Sequence, residues 1–203
     1  MKAIETVYNG YRFRSRLEAR WAVFYDVLGI KWEYEKEGYD LGSGIYYLPD
    51  FYIPHLDCWI EIKGQCTPID NKIFELFSEQ SEKKVYLFIG EIPNPDTLEC
   101  SGPPYNENNS AYILGDLHYV WCECPDCGFV GIEFDGRSDR LGCKESYETW
   151  DNRDREIPGK WYEEGKCFRR AANGDKGYNG NSMRLIQSYR EARYARFEHG
   201  ESG

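Results

Sequence analysis

A chain of 203 residues with 41% hydrophobic and 16% aromatic side chains can bury a core of its own, which excludes global disorder. No run of about 18 apolar residues occurs, so no membrane-spanning helix is expected; the first ten residues lack a basic-then-apolar leader pattern, and a cytoplasmic protein is expected. The net charge of −10 excludes a protein that coats nucleic acid through a broad basic surface, but it leaves room for local basic clusters.

Leu17, Trp21, Phe24 and Leu28 recur at helical spacing, which predicts a helix from about Arg16 to Leu28 stopped by Gly29. Ile30 to Glu35 alternates, with Trp32 and Tyr34 between charged residues, and reads as a strand. Gly42-Ser43-Gly44 is a turn, Tyr46 to Ile53 a second strand and Cys58 to Lys63 a third. Pro68 suits the first turn of a helix running to about Glu82, with Ile69, Ile73, Leu76 and Phe77 on its apolar side. Val85 to Ile89 is a continuous apolar run, as in a strand covered on both faces. The predicted order is helix, three strands, helix, strand.

Pro93 to Ser110 is rich in Pro, Asn and Gly and reads as a break. The expected organisation is a core over residues 1–92, a linker over 93–111, a small β module over 112–170, and a flexible stretch with a C-terminal helix over 171–203. That last helix, from Met183 to about Glu198, carries Arg184, Arg190, Arg193 and Arg196 interleaved with Tyr189 and Tyr194. Arginines and aromatics in that arrangement can grip a phosphate backbone and stack on bases; they equally suit an amphipathic helix docked on the core.

The chemistry concentrates in Pro49-Asp50 and, eleven positions after Asp50, Glu61-Ile62-Lys63. Side chains alternate along a strand, so Trp59, Glu61 and Lys63 share one face while Ile60 and Ile62 share the other. Charges inside an apolar strand are costly without a purpose. If the Asp50 strand pairs beside it, Asp50 and Glu61 converge on one point. Two convergent carboxylates suit Mg²⁺ or Mn²⁺, and a lysine beside them would orient or deprotonate the attacking water and stabilise charge on a phosphate.

Pro49-Asp50 followed by Glu61-Ile62-Lys63, in this order of elements, resembles the PD-(D/E)XK nuclease superfamily, whose core runs helix, three strands, helix, strand. The resemblance implies a restriction-endonuclease-like α/β fold with an αβββαβ core, to which this chain's own residues are expected to add a small zinc-binding β module and a C-terminal helix. It implies a metal-dependent DNA endonuclease, structure-selective as the junction-resolving enzymes are, or nicking. It further implies a metal site of Glu18, Asp50 and Glu61, with Lys63 as the fourth catalytic residue. Glu18, in Ser15-Arg16-Leu17-Glu18, matches the first-helix glutamate of that family, although Ser15-x-x-Glu18 is also a capping box. The stretch from Tyr11 to Gly64 and the tail from Ala192 resemble small phage and bacterial proteins of this kind. DNA is the expected partner, a homodimer is allowed, and Arg12, Arg14 and Arg16 are the expected DNA contacts. Gln65 lies where such nucleases carry a further polar residue. His55 could serve as a ligand or base but reads better as part of a solvated turn. The rivals are a catalytically inactive DNA- or protein-binding module on the same fold, a homing-type endonuclease, and an acidic protein that mimics DNA.

Eight cysteines without a leader favour thiols or a metal site over disulfides. Cys124-Pro-Asp-Cys127-Gly reads as a zinc knuckle, with Cys143 as a third ligand to a structural Zn²⁺. A standard ribbon would place the fourth ligand where Ser146 stands. Cys122, Cys167 and His118 compete for that role, and Cys167 is favoured because Cys122 lies too near Cys124. Cys58, Cys66 and Cys100 read as small apolar residues.

Overall fold

The computed structural model describes residues 4–65, 67–94, 111–113, 117–123, 128–134, 141–142, 169–170 and 182–197. Strands β1 (Thr6–Tyr8) and β2 (Tyr11–Phe13) form an antiparallel hairpin turned by Asn9-Gly10, both at positive φ, as a tight two-residue turn requires. Helix α1 (Arg16–Leu28) follows; it starts at Ser15, whose side chain accepts from the Glu18 N–H, and stops at Gly29 in the left-handed region. Next come β3 (Glu33–Tyr34), the small hairpin β4 (Tyr39–Asp40) and β5 (Tyr46–Tyr47), then β6 (Phe51–Ile53), a 3-10 turn (Pro54–Leu56) and β7 (Cys58–Lys63). Helix α2 (Pro68–Gln80) opens on a capping box between Thr67 and Asp70 and leads to β8 (Lys84–Ile89). Beyond these lie β9 (Ala111–Ile113), β10 (Leu117–Glu123), β11 (Val130–Phe134), the pair β12 (Leu141–Gly142) and β13 (Arg169–Arg170), and helix α3 (Met183–Tyr194).

The principal sheet has seven strands in the order β11-β10-β9-β8-β7-β6-β3. Only β7 and β8 run parallel, because α2 carries the chain across between them; the other neighbours are antiparallel. The fold is mixed α/β, and the helix, strands, helix, strand order of residues 16–89 follows the sequence reading.

Each sheet face has its own core. On one side α1 buries Trp21, Phe24, Tyr25 and Leu28 with Phe51, Ile53, Ile60, Ile62 and Phe88. On the other, α2 buries Phe74 and Phe77 against Tyr52, Trp59, Val85 and Leu87. The α2 face was expected to include Ile69; that residue is 72% exposed in the first helical turn, and Phe74 takes the buried place. The alternation read for β7 holds, with Cys58, Ile60 and Ile62 on the α1 side and Trp59 on the α2 side.

Two expected boundaries change. Strands β9, β10 and β11 were expected in a separate module, but they extend the core sheet from β8. Trp121 of β10 is fully buried, with its ring 5.8 Å from Phe24, 5.6 Å from Tyr25 and 6.4 Å from Phe88. An aromatic of that size supplies a core and does not ride on a tether. The C-terminal helix is likewise part of the core: α3 buries Leu185, Ile186, Tyr189 and Ala192 on α1, and Tyr189 stacks on Phe24 at 4.5 Å. Arg184 donates to the Leu28 carbonyl at 3.1 Å, one of the orphan acceptors at the end of α1, and also bonds Glu123 and the Gly128 carbonyl. Arg193 donates to the Ile92 carbonyl at 2.7 Å. Of the two readings of this helix, the docked amphipathic one describes these residues. Among the described residues, no helix is long and apolar enough to cross a membrane.

Candidate active site

Between β5 and β6 the segment Leu48-Pro49-Asp50 interrupts what reads in the sequence as one strand. Proline at 49 offers no N–H to a ladder, so the chain leaves the sheet there and re-enters at Phe51. The register then pairs Phe51 with Ile60 and Tyr52 with Trp59, which brings Asp50 beside Glu61. The Asp50 N–H donates to Glu61 Oε2 at 3.2 Å, and the Ile62 N–H donates to Asp50 Oδ2 at 2.7 Å. Both carboxylates are buried, Asp50 at 1% exposure and Glu61 at 2%. Lys63, two residues along the same face, places Nζ 2.6 Å from Glu61 Oε1. The convergence expected of Asp50, Glu61 and Lys63 is therefore present.

Two of these groups carry informative pKa shifts. The Asp50 carboxyl is pushed well above the usual aspartate range by burial, then by Glu61 and Glu18; Arg14 and the Ile62 N–H pull the other way without prevailing. Burial works against a charge on Lys63, but Glu61 outweighs it with help from Asp50, and the net shift is upward. Lys63 is thus held as an ammonium, which makes it a donor and a positive charge toward a phosphate. That ammonium fits the expected role of stabilising charge. Because the folded chain holds the Asp50 proton more tightly than the unfolded chain, stability without metal should fall as pH rises from the ordinary aspartate value of 3.8 toward the raised one. Asp50→Asn should flatten that dependence and raise the melting temperature in chelator at neutral pH; an unchanged melting profile across pH would refute the account.

Glu18 is buried on α1, and its carboxylate is fully engaged. Oε2 accepts from the Arg14 N–H at 3.1 Å and the Tyr34 hydroxyl at 2.6 Å, while Oε1 accepts from the Ser15 hydroxyl at 2.6 Å. The capping-box reading placed this carboxylate on the Ser15 amide; the backbone N–H it accepts from is one residue earlier, that of Arg14. Burial and the Glu18 hydrogen bond push the Tyr34 hydroxyl up, so it stays protonated as a donor. Among the described residues no three His, Cys, Asp or Glu side chains are gathered so that they could hold a metal ion as they stand. Glu18 acts on Asp50 through its charge.

Three contributors escaped the sequence reading. Tyr47 bonds Glu61, and burial followed by that carboxylate pushes its hydroxyl up. Tyr34 holds Glu18, as above. Arg14, expected on DNA, instead places one guanidinium nitrogen 2.5 Å from Asp50 Oδ1 and 3.3 Å from the Leu48 carbonyl, with Nε 2.8 Å from Glu35. A basic run before a helix does not reveal which member turns inward. Arg12 is exposed and 3.6 Å from the exposed Glu5, which leaves it at the surface where a DNA contact was expected. Arg16 is partly buried in the first turn of α1.

The other expected residues fall elsewhere. His55 is not in a solvated turn: it is partly buried, its Nε2 bonds the Val130 carbonyl at 3.0 Å, and its ring meets Phe129. Burial lowers its pKa, with the Val130 contact opposing, and it belongs to the joint between the 3-10 turn and β11. Gln65 is exposed. Cys58 is buried in β7 as a small apolar residue. Cys124, Cys127, Cys143, Cys167, Cys66 and Cys100, and the side chains of Cys122 and His118, lie outside the described residues.

A small cavity of about 190 Å³ opens beside the centre, lined by Tyr46, Tyr47, Glu61, Lys63, Asp70 and Phe74 among others. No family model matches the chain, and neither the curated proteins nor the solved structures contain a match to it.

Proposed function

We propose that the chain is a metal-dependent DNA endonuclease of the PD-(D/E)XK kind, with a restriction-endonuclease-like core. The observation that carries this reading is the side-by-side placement of two buried carboxylates, Asp50 and Glu61, with the Lys63 ammonium on the same centre. Burying like charges together is unfavourable unless a cation or a catalytic task repays it. The donors are hard carboxylate oxygens set side by side, so the residues fit Mg²⁺ or Mn²⁺. Asp50 and Glu61 would hold such an ion, with Glu18 behind them, and its chemistry there would be Lewis acidity toward a phosphodiester. Lys63 would donate to a non-bridging phosphate oxygen as charge builds in the transition state. Tyr47 and the Asp50 N–H fix Glu61, and the Ile62 N–H fixes Asp50, so both carboxylates are oriented before substrate arrives.

The test is a panel of duplex, single-stranded, flapped and four-way DNA incubated with Mg²⁺, Mn²⁺ or chelator. Cleavage of at least one substrate with metal and none with chelator is the expected result; junction or nick selectivity would appear as a preference within the panel. A second reading, an inactive nuclease-like fold that binds DNA or protein, draws on one observation: an arginine already sits on Asp50. Binding without metal-dependent cleavage on every substrate would favour it.

Glu18→Gln sharpens the role of α1. The amide cannot accept at both oxygens, so one of three hydrogen bonds is lost, at a cost of about 1 kcal/mol in stability. If the charge serves the centre, cleavage should fall at least about tenfold at a temperature where the variant is fully folded. Unchanged turnover would leave Glu18 a framework residue.

A structural zinc held by Cys124, Cys127, Cys143 and Cys167 is proposed as well. Gly128, directly after Cys127, has a φ of 71°, which suits the tight turn that follows a Cys-x-x-Cys knuckle. Elemental analysis of protein purified without added zinc should find about one Zn per chain, and Cys124→Ser should lower that occupancy.

A further inference from the structure

We propose that Arg14 is a resident cation of the carboxylate centre, holding Asp50 until a divalent ion displaces it and then standing free at the mouth of the site, where a phosphate would arrive. The proposal rests on the nuclease reading and adds to it what occupies the centre before metal.

The two oxygens of Asp50 are not equivalent. Oδ2 accepts from the N–H of Ile62, a residue of β7 that is paired with Phe88 of β8. Oδ1 is the oxygen that a metal could take without disturbing backbone, and Arg14 holds it at 2.5 Å. Arg14 itself stands at the open edge of the centre. It lies between the end of β2 and the cap of α1, and its side chain is 51% exposed while that of Asp50 is 2% exposed. Its departure would therefore uncover little apolar surface. A second acceptor is already in place: Nε lies 2.8 Å from Glu35, whose side chain is 27% exposed, so the guanidinium can release Asp50 and stay tethered outside. The charges call for this exchange. Arg14 pairs with both Asp50 and Glu35, Lys63 pairs with Glu61, and the charge of Glu18 also bears on Asp50, so a divalent ion would find carboxylate charge to bind. A guanidinium is suited to both positions, since its fork binds carboxylate and phosphate alike.

Competition makes a prediction opposite in sign to a purely structural role. Mn²⁺ binding to the full chain, without DNA, is measured by calorimetry for wild type, Arg14→Gln and Arg14→Lys, and melting is followed in chelator and in saturating Mn²⁺. If Arg14 is the resident cation, Arg14→Gln binds Mn²⁺ about tenfold more tightly than wild type, because the ion no longer displaces a charge-assisted hydrogen bond. Its melting temperature drops in chelator and recovers with Mn²⁺. Should Arg14→Gln fail to fold, Arg14→Lys carries the test: its single ammonium cannot span Asp50, Leu48 and Glu35 together, and it should bind Mn²⁺ a few-fold more tightly. If wild type binds Mn²⁺ and the variants bind it equally or more weakly, Arg14 is a strut for the Leu48–Asp50 segment and the proposal is overturned while the nuclease reading stands. If none of the three binds Mn²⁺, the metal reading fails and takes the proposal with it.

Discussion

Lys63→Ala is expected to lower metal-dependent DNA cleavage about 100- to 1000-fold, the range seen when one preorganised donor is removed from a transition state. The side chain is a third exposed and reaches Glu61 from the open side of β7, so its loss strips charge from the site more than it strips packing from the core. Glu61 keeps the Asp50 N–H and Tyr47 as partners, which limits the loss of stability to about 1 kcal/mol. Asp50→Ala and Glu61→Ala should abolish cleavage outright, because each removes a ligand oxygen. The measurement is initial rate on the best substrate of the panel, beside a melting curve for each variant. A folded Lys63→Ala protein that cuts at the wild-type rate would sink the assignment of the centre.

The largest effect on stability is expected at Trp121. Deleting that ring leaves a cavity between Phe24, Tyr25 and Phe88, and Trp121→Ala should cost about 3–5 kcal/mol. The site of the damage matters as much as its size. Were residues 112–170 an independent module, the substitution would melt that module and leave the first 92 residues at their own transition. With β9–β11 in the same sheet as β7 and β8, the variant should lose stability as one cooperative unit, and denaturant curves followed by far-ultraviolet dichroism and by tryptophan fluorescence should stay superimposed. Two separated transitions, with only the later one unaffected by the substitution, would restore the modular picture.

The parts of the fold legible in the sequence are those whose signals are local. Ser15 and Gly29 bound α1, Pro68 opens α2, and the run from Cys58 to Lys63 shows its two faces by alternation. Asn9-Gly10 was equally local and passed unread, because the flanking strands are only three residues long. What stayed hidden is long-range. Pro93 to Ser110 reads as a domain break, and nothing local says that the next strand returns to the edge of β8. The docking of α3 on α1 depends on apolar residues that could equally have faced bases. In the centre itself, Asp50, Glu61 and Lys63 were legible as a pattern, whereas Arg14, Tyr34 and Tyr47 join it through the third dimension alone.

The seat of α3 has a consequence for synthesis. Leu28, at the end of α1, and Arg184, which closes over its carbonyl, are 156 positions apart. At roughly 5–20 residues per second, a ribosome needs about 8–30 s to travel between them. Throughout that interval the outer surface of α1, with Phe24 on it, has no helix to cover it. A growing chain therefore carries every residue of the carboxylate centre long before the helix that covers α1 has been made.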